Sequence, residues 1–136
     1  YEIASCLVGS EMCIETGRYV CIEALNSQDG KDLACIAEMY FLDKDGSRLS
    51  REPWIVKYAD SEDVAHVNRS ADKTFDLQES TYWSTEKGSP YPHTIVIDLG
   101  ASHTLTGFQC LPRMESEVPG GIKDFKIYVK GENFKY

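Results

Sequence analysis

The chain predicts an all-β sandwich or barrel, on three observations. Period-two alternation of apolar and polar residues dominates its regular segments. Turn signals separate those segments at short intervals. No convincing amphipathic helix, internal repeat or low-complexity segment interrupts the pattern.

The elements follow in order. Arg18 to Leu25 alternates, with Val20, Ile22 and Ala24 on one face. Asn26 to Lys31 is polar and contains the turn pair Asp29-Gly30. Ala34 to Leu42 has helix-like composition, but its length and the following Asp43-Lys44-Asp45-Gly46 favour a strand closed by a hairpin turn. Trp54 to Tyr58 is the next strand, with Trp54, Val56 and Tyr58 on one face. Ala59 to Lys73 is polar and reads as a long loop with at most one helical turn. Lys87 to Pro92 is a Gly/Pro loop. Thr94 to Leu99 sets Ile95, Ile97 and Leu99 against Thr94, Val96 and Asp98. Gly100-Ala101-Ser102 reads as a turn into His103–Leu111, and Pro119-Gly120-Gly121 as a loop. Ile122 to Val129 is the last strand, with Phe125, Ile127 and Val129 inward. Trp54, Tyr82 and Trp83 are core or near-core candidates, because two packed sheets need large residues between them.

Length and composition bound the function. The 136 residues, 42% apolar and 26% charged, fit one soluble domain, residues 1–136. No apolar run is long enough to span a membrane, so membrane insertion is not expected. No leader is visible at Tyr1, which leaves any targeting segment upstream. A net charge of −8 repels phosphate backbones, which argues against nucleic acid and leaves neutral ligands such as sugars open. The five cysteines (Cys6, Cys13, Cys21, Cys35 and Cys110) form no CxxC pair and no zinc pattern. They read as small buried hydrophobes, with a Cys13–Cys21 bridge as the alternative.

Catalysis finds little support. There is no Gly-x-Ser-x-Gly, no phosphate-binding loop and no His-Glu-x-x-His. His66, His93 and His103 are scattered, and His93 at a strand entrance reads as structural. Asp43-Lys44-Asp45-Gly46 lacks the spacing of a calcium-binding helix–loop–helix. Asn68-Arg69-Ser70 matches a glycosylation sequon by pattern.

One set of segments narrows the fold. These are Phe75-Asp76 with Ser80-Thr81-Tyr82-Trp83, Pro92 to Gly100, Thr106-Gly107-Phe108, Leu111-Pro112-Arg113, and Gly121 to Val129. In order and spacing they resemble the coagulation factor V/VIII type C, or discoidin, domain, and most of all its bacterial carbohydrate-binding members. The resemblance implies a galactose-binding-like jelly roll. Gly17 to Leu25 and Ala34 to Met39 resemble the strands that close such domains, yet here they come first. Either the module is permuted, or the chain joins one module's tail to the next one's head. Half a sandwich leaves open edges, which favours the permuted module with residues 1–16 supplying a strand beside Val129.

The resemblance also implies sites. Family members often hold a structural Ca²⁺, for which Asp76, Gln78, Thr81 and Glu38 stand at the matching positions. Leu77 replaces the usual Gly and Gln78 the usual Asp, and the competing reading is a metal-free loop with Asp76 capping backbone N–H groups. Of the usual sugar contacts Arg113 is kept, while Ser84 replaces a His and Leu33 an aromatic. Glu62 could add an acceptor and Tyr91 a stacking ring. The bland alternatives are an Arg113–Glu115 salt bridge and a rim position for Tyr91.

The expected function is therefore non-catalytic carbohydrate binding. The module would be an accessory part of an extracytoplasmic polysaccharide-processing protein, with a glycan as ligand and other domains as neighbours. Several weak modules would gain by avidity. The alternative is a structural or protein-interaction module that kept the fold and lost the sugar site.

Overall fold

The computed structural model describes residues 15–27, 33–65, 67–78, 81–86, 88–111 and 122–134. Among the described residues, the strands are β1 Glu15–Ser27, β2 Cys35–Ile36, β3 Glu38–Leu42, β4 Ile55–Ala59, β5 Trp83–Ser84, β6 His93–Leu105, β7 Gly107–Leu111 and β8 Ile122–Lys130. A short 3-10 helix, Ala71–Phe75, supplies the helical turn expected in the long polar loop. The strands form a four-stranded antiparallel sheet in the order β4-β6-β1-β8, with two-stranded pairs β2-β5 and β3-β7. The all-β expectation holds.

β1 alternates as its sequence demands, burying Val20, Ile22 and Ala24. It lies between β6 and β8, with Ile22 opposite both Ile95 and Ile127. Met39 and Phe41 of β3 and Phe108 and Cys110 of β7 join Val20, Ile22 and Ala24 in one buried core. A file of rings crosses that core from Phe75 through Trp54, Phe41 and Phe108 to Phe125, with centroids 5.2–5.7 Å apart. Tilted and edge-on contacts at this spacing are the favourable aromatic geometry. Phe125, Ile127 and Val129 pack inward from β8 as the alternation required.

Three sequence expectations need correction. Gly100-Ala101-Ser102 is no turn: β6 continues through it. The register passes from Tyr19 opposite Asp98 to Gly17 opposite His103, so the extra residues bulge out of a continuous strand. Tyr58 does not share a face with Val56. A register shift places Val56 opposite Ile97 but Tyr58 opposite Val96, and adjacent residues of β6 face opposite ways. The Ala34–Leu42 segment divides into β2 and β3 at Ala37, because the two pieces pair with different partners. Glu15 and Thr16 belong to β1, opposite Leu105 and Thr104, while residues 1–14 of the expected additional strand lie outside the described residues.

The Asp43–Gly46 turn forms as expected. Asp43 Oδ1 accepts from the N–H of Asp45 (2.8 Å) and Ser47 (3.1 Å). Cys21, Cys35 and Cys110 are thiols outside any disulfide, which removes the Cys13–Cys21 bridge, and Cys6 and Cys13 lie outside the described residues. Burial, with Glu23 nearby, pushes the Cys21 thiol pKa up. Among the described residues no helix is long and apolar enough to cross a membrane.

Asp98, buried on the outer side of β6, accepts two bonds from Arg18, at 2.8 Å from Nε and 3.0 Å from Nη2. The Arg18 hydrogen bond holds the Asp98 carboxyl below the usual carboxylate range. A depressed folded-state pKa adds stability that is present above the unfolded value and lost as pH falls through the folded one. Arg18→Met is therefore expected to lower the unfolding midpoint at neutral pH. That deficit should shrink as acid titrates Asp98, and melting curves from pH 7 to pH 3 would show it. A deficit constant with pH would assign Arg18 a packing role only.

Candidate functional site

Register fixes which loops share an end of the sheet. His93, where β6 starts, stands opposite Ala24 near the end of β1, and Ile122, where β8 starts, stands opposite Ser27. Ala59, the last residue of β4, lies opposite Ile95. The C-terminal ends of β1 and β4 and the N-terminal starts of β6 and β8 therefore lie at one end of the four-stranded sheet.

Hydrogen bonds knit the described parts of the adjoining segments together. Trp83 Nε1 donates to the Ser61 carbonyl at 2.9 Å, and Glu86 N donates to Ser61 Oγ at 2.9 Å. Asp63 N donates to Ser84 O at 2.8 Å, and Ser84 N to Arg69 O at 3.1 Å. Ala34 N donates to Thr85 Oγ1 at 2.9 Å, and the Tyr91 hydroxyl to Leu33 O at 2.8 Å. His93 is fully buried and its Nδ1 lies 3.0 Å from Asp60 Oδ2, tying the loop after β4 to the start of β6. That geometry is structural, as the sequence suggested.

The structure thus brings the Glu62, Ser84 and Tyr91 segments together, but it commits each of these side chains inward. Ser84 is buried, and its Oγ donates to Thr85 O and lies 3.4 Å from Cys35 Sγ. Glu62 Oε2 accepts from Ala71 N at 2.7 Å and so caps the 3-10 helix. Tyr91 is half-buried, its ring edge-on to His93. Arg113 and Glu115 lie outside the described residues.

Sequence reasoning missed a pair at this end. The Arg69 guanidinium lies 4.0 Å above the Tyr82 ring, and both residues are half-buried. Arg69 closes a small loop by bridging Asp63, and the tip of that loop exposes Val64 (57%), Val67 (55%) and Asn68. No alternation marked it: Trp83 and Ser84 are both buried, so Tyr82, expected in or near the core, is left half-buried without a sequence cue.

The expected calcium ligands are arranged as follows. Asp76 Oδ1 accepts from Gln78 N at 3.0 Å, and Oδ2 from the Thr81 hydroxyl. The same hydroxyl also lies 3.0 Å from Gln78 O. Glu38 is buried, 3.2 Å from Arg51 Nη1, which also lies 3.4 Å from the Thr74 carbonyl just before the Asp76 loop. Among the described residues no three His, Cys, Asp or Glu side chains gather as a metal site. Asp76 thus caps its own loop. Leu77 nevertheless sits at φ 66°, the left-handed conformation that a Gly would adopt without strain. It is 60% exposed, so its side chain gains little from burial. Leu77→Asn is expected to stabilise by about 0.5–1 kcal/mol, since Asn tolerates this conformation. A urea titration showing loss of stability instead would mean that Leu77 makes a contact worth more than the strain.

Comparison with known proteins agrees with this architecture. The F5/8 type C domain profile matches residues 57–136. A sialidase from Micromonospora viridifaciens is 36% identical over 73 residues, 51% of this chain and 11% of the sialidase. A galactose oxidase from Gibberella zeae is 30% identical over 91 residues, 64% of this chain and 13% of the oxidase. The chain thus spans only about an eighth or less of either relative. With more than half its length matched, the chain belongs to the F5/8 type C domain family.

Proposed function

We propose that this F5/8 type C domain is a non-catalytic carbohydrate-binding module of an extracytoplasmic polysaccharide-processing protein. The observation that carries the reading is the Arg69–Tyr82 stack, half-exposed beside the hydrogen-bonded loops that follow β4 and precede β6. A ring face suits apolar sugar C–H groups, and a guanidinium fixes hydroxyls. The match to a small fraction of two enzymes named for sugars supports an appended, accessory role. Arg113 remains the best contact carried over from the family resemblance. Glu62, Ser84 and Tyr91 shape the site by holding its loops.

We also propose that residues 1–136 are one permuted module. Support comes from β1, which lies between β6 and β8 of the family-matched segment. Early proteolytic loss of residues 15–27 from an otherwise resistant core would count against it.

A glycan screen with wild type, Tyr82→Ala and Arg113→Ala tests the binding reading. Each variant is expected to bind about tenfold more weakly, a loss of about 1.4 kcal/mol. Absence of any glycan binding by the wild type would refute it. A specific observation favours the second reading, a protein-interaction module, because Val64 and Val67 put exposed apolar side chains on the loop tip.

A further inference from the structure

β8 stands at a margin of the sheet but is patterned like an interior strand. Among the described residues it pairs with β1 alone. Phe125, Ile127 and Val129 face inward yet stay half-buried, whereas Val20 and Ile22 of β1 and Ile95 and Ile97 of β6 are at most 2% exposed. A groove of about 400 Å³ follows the strand, lined by Glu15, Ile127, Tyr128, Val129, Lys130 and Phe134. Ile127 and Val129 reach it from one face of the sheet, and Tyr128 and Lys130 from the other, so it lies along the outer edge of β8. The usual defences of an edge are missing. No proline interrupts Ile122–Lys130. From Asp124 onward its charges, Asp124, Lys126 and Lys130, all stand on the outer face and leave the inward stripe apolar.

Such an edge is completed by another strand. Laid antiparallel against itself about Ile127, β8 is its own complement. Ile127 meets Ile127 and Phe125 meets Val129 on the inner face, while Lys126 meets Tyr128 and Asp124 meets Lys130 on the outer face. Centring on either neighbour sets like charges opposite, Lys126 against itself or Lys126 against Lys130. We propose that β8 pairs in the Ile127-centred register with β8 of a second copy of this chain, making a two-fold dimer. Residues 1–14 are the rival occupant. Their two acids, Glu2 and Glu11, stand an odd number of positions apart, so they cannot share one face of a strand with both outer lysines. The second copy supplies an acid to Lys130 and a ring to Lys126. Because the two copies run antiparallel, their candidate glycan ends lie at opposite ends of one continuous sheet. The dimer itself does not depend on the glycan reading.

The test is sedimentation equilibrium of the full chain from micromolar to millimolar concentration, with Asp124→Lys, Lys130→Asp and the double variant Asp124→Lys/Lys130→Asp. Both positions are exposed, so the fold should tolerate the changes. Wild type should show a monomer–dimer equilibrium. Each single reversal sets like charges at both ends of the pairing and should raise the dissociation constant by about tenfold or more. An equimolar mixture of the two single variants puts opposite charges together again at both ends, and so does the double variant. Both should associate as wild type does. A wild type that stays monomeric throughout would overturn the proposal and leave residues 1–14 as the occupant of the edge. A wild-type dimer that neither reversal weakens would place the interface elsewhere, and a mixture that fails to recover would refute the register. Either result overturns the proposal as well.

Discussion

Trp83→Ala is expected to destabilise the protein by about 4 kcal/mol, within the 3–5 kcal/mol typical of large aromatic deletions. Trp83 is 1% exposed and lies in β5 opposite Ile36. Deleting it leaves a cavity between the β2-β5 pair and the rest of the core. It also removes the indole N–H that the Ser61 carbonyl accepts at 2.9 Å. Ser61 is buried, so that carbonyl would lose its partner in a region poor in water. The consequence reaches the candidate site, because Ser61 Oγ in turn accepts from Glu86 N and faces Ser89 Oγ at 3.3 Å. The two loops beside the Arg69–Tyr82 pair should therefore loosen together. Urea denaturation reads the first effect, and limited proteolysis within residues 60–70 and 86–91 the second. Trp83→Phe separates them, since it keeps most of the packing but leaves Ser61 O unbonded, costing about 1–3 kcal/mol. A loss below about 1.5 kcal/mol for Trp83→Ala would mean that the cavity collapses and the indole is no keystone.

The contrast between Trp83 and Tyr82 shows where sequence was informative. A strand with one buried face writes its burial into alternate residues, so β1, β8 and the first half of β6 were legible from Val20, Ile95 and Phe125 and their neighbours. A bulge breaks that code without leaving a compositional mark. Lys57 gives no sign that Tyr58 changes face, and β6 reads as ending where it only bulges. Sequence pointed to the loops of Glu62, Ser84 and Tyr91, and the structure brings those loops together. The candidate site was not legible in its side chains. Whether Ser84 points to a ligand or to Thr85 depends on partners far apart in sequence, and so does the choice of Glu62 to cap Ala71. Arg51 escaped notice for the same reason. Met39 and Thr74, which surround it, lie 12 and 23 positions away and contribute only backbone oxygens, which any residue type could supply.

Gly100 turns that blind spot into a test. It adopts φ 85° within β6, and a Cβ there would stand 2.9 Å from Pro53 Cβ and 3.3 Å from Pro53 O. Its N–H donates to Asp98 Oδ1 at 2.8 Å, the same oxygen that Arg18 Nε bonds. Gly100→Ala therefore combines left-handed strain, about 1 kcal/mol, with a clash of similar or larger size. The expected loss is about 2–3 kcal/mol, with a weaker hold on Asp98. Gly46 supplies the control. It has φ 80°, but a Cβ there would meet nothing within 4 Å, so Gly46→Ala should show the strain alone, about 1 kcal/mol. The excess of Gly100→Ala over Gly46→Ala then measures the contact with Pro53. Adding Pro53→Ala should recover part of that excess, because the two positions touch and their effects cannot be additive. If Gly100→Ala and Gly46→Ala cost the same in urea denaturation, the bulge has room to spare. In that case glycine at position 100 serves backbone conformation only, and the approach of Pro53 to β6 contributes nothing to the requirement.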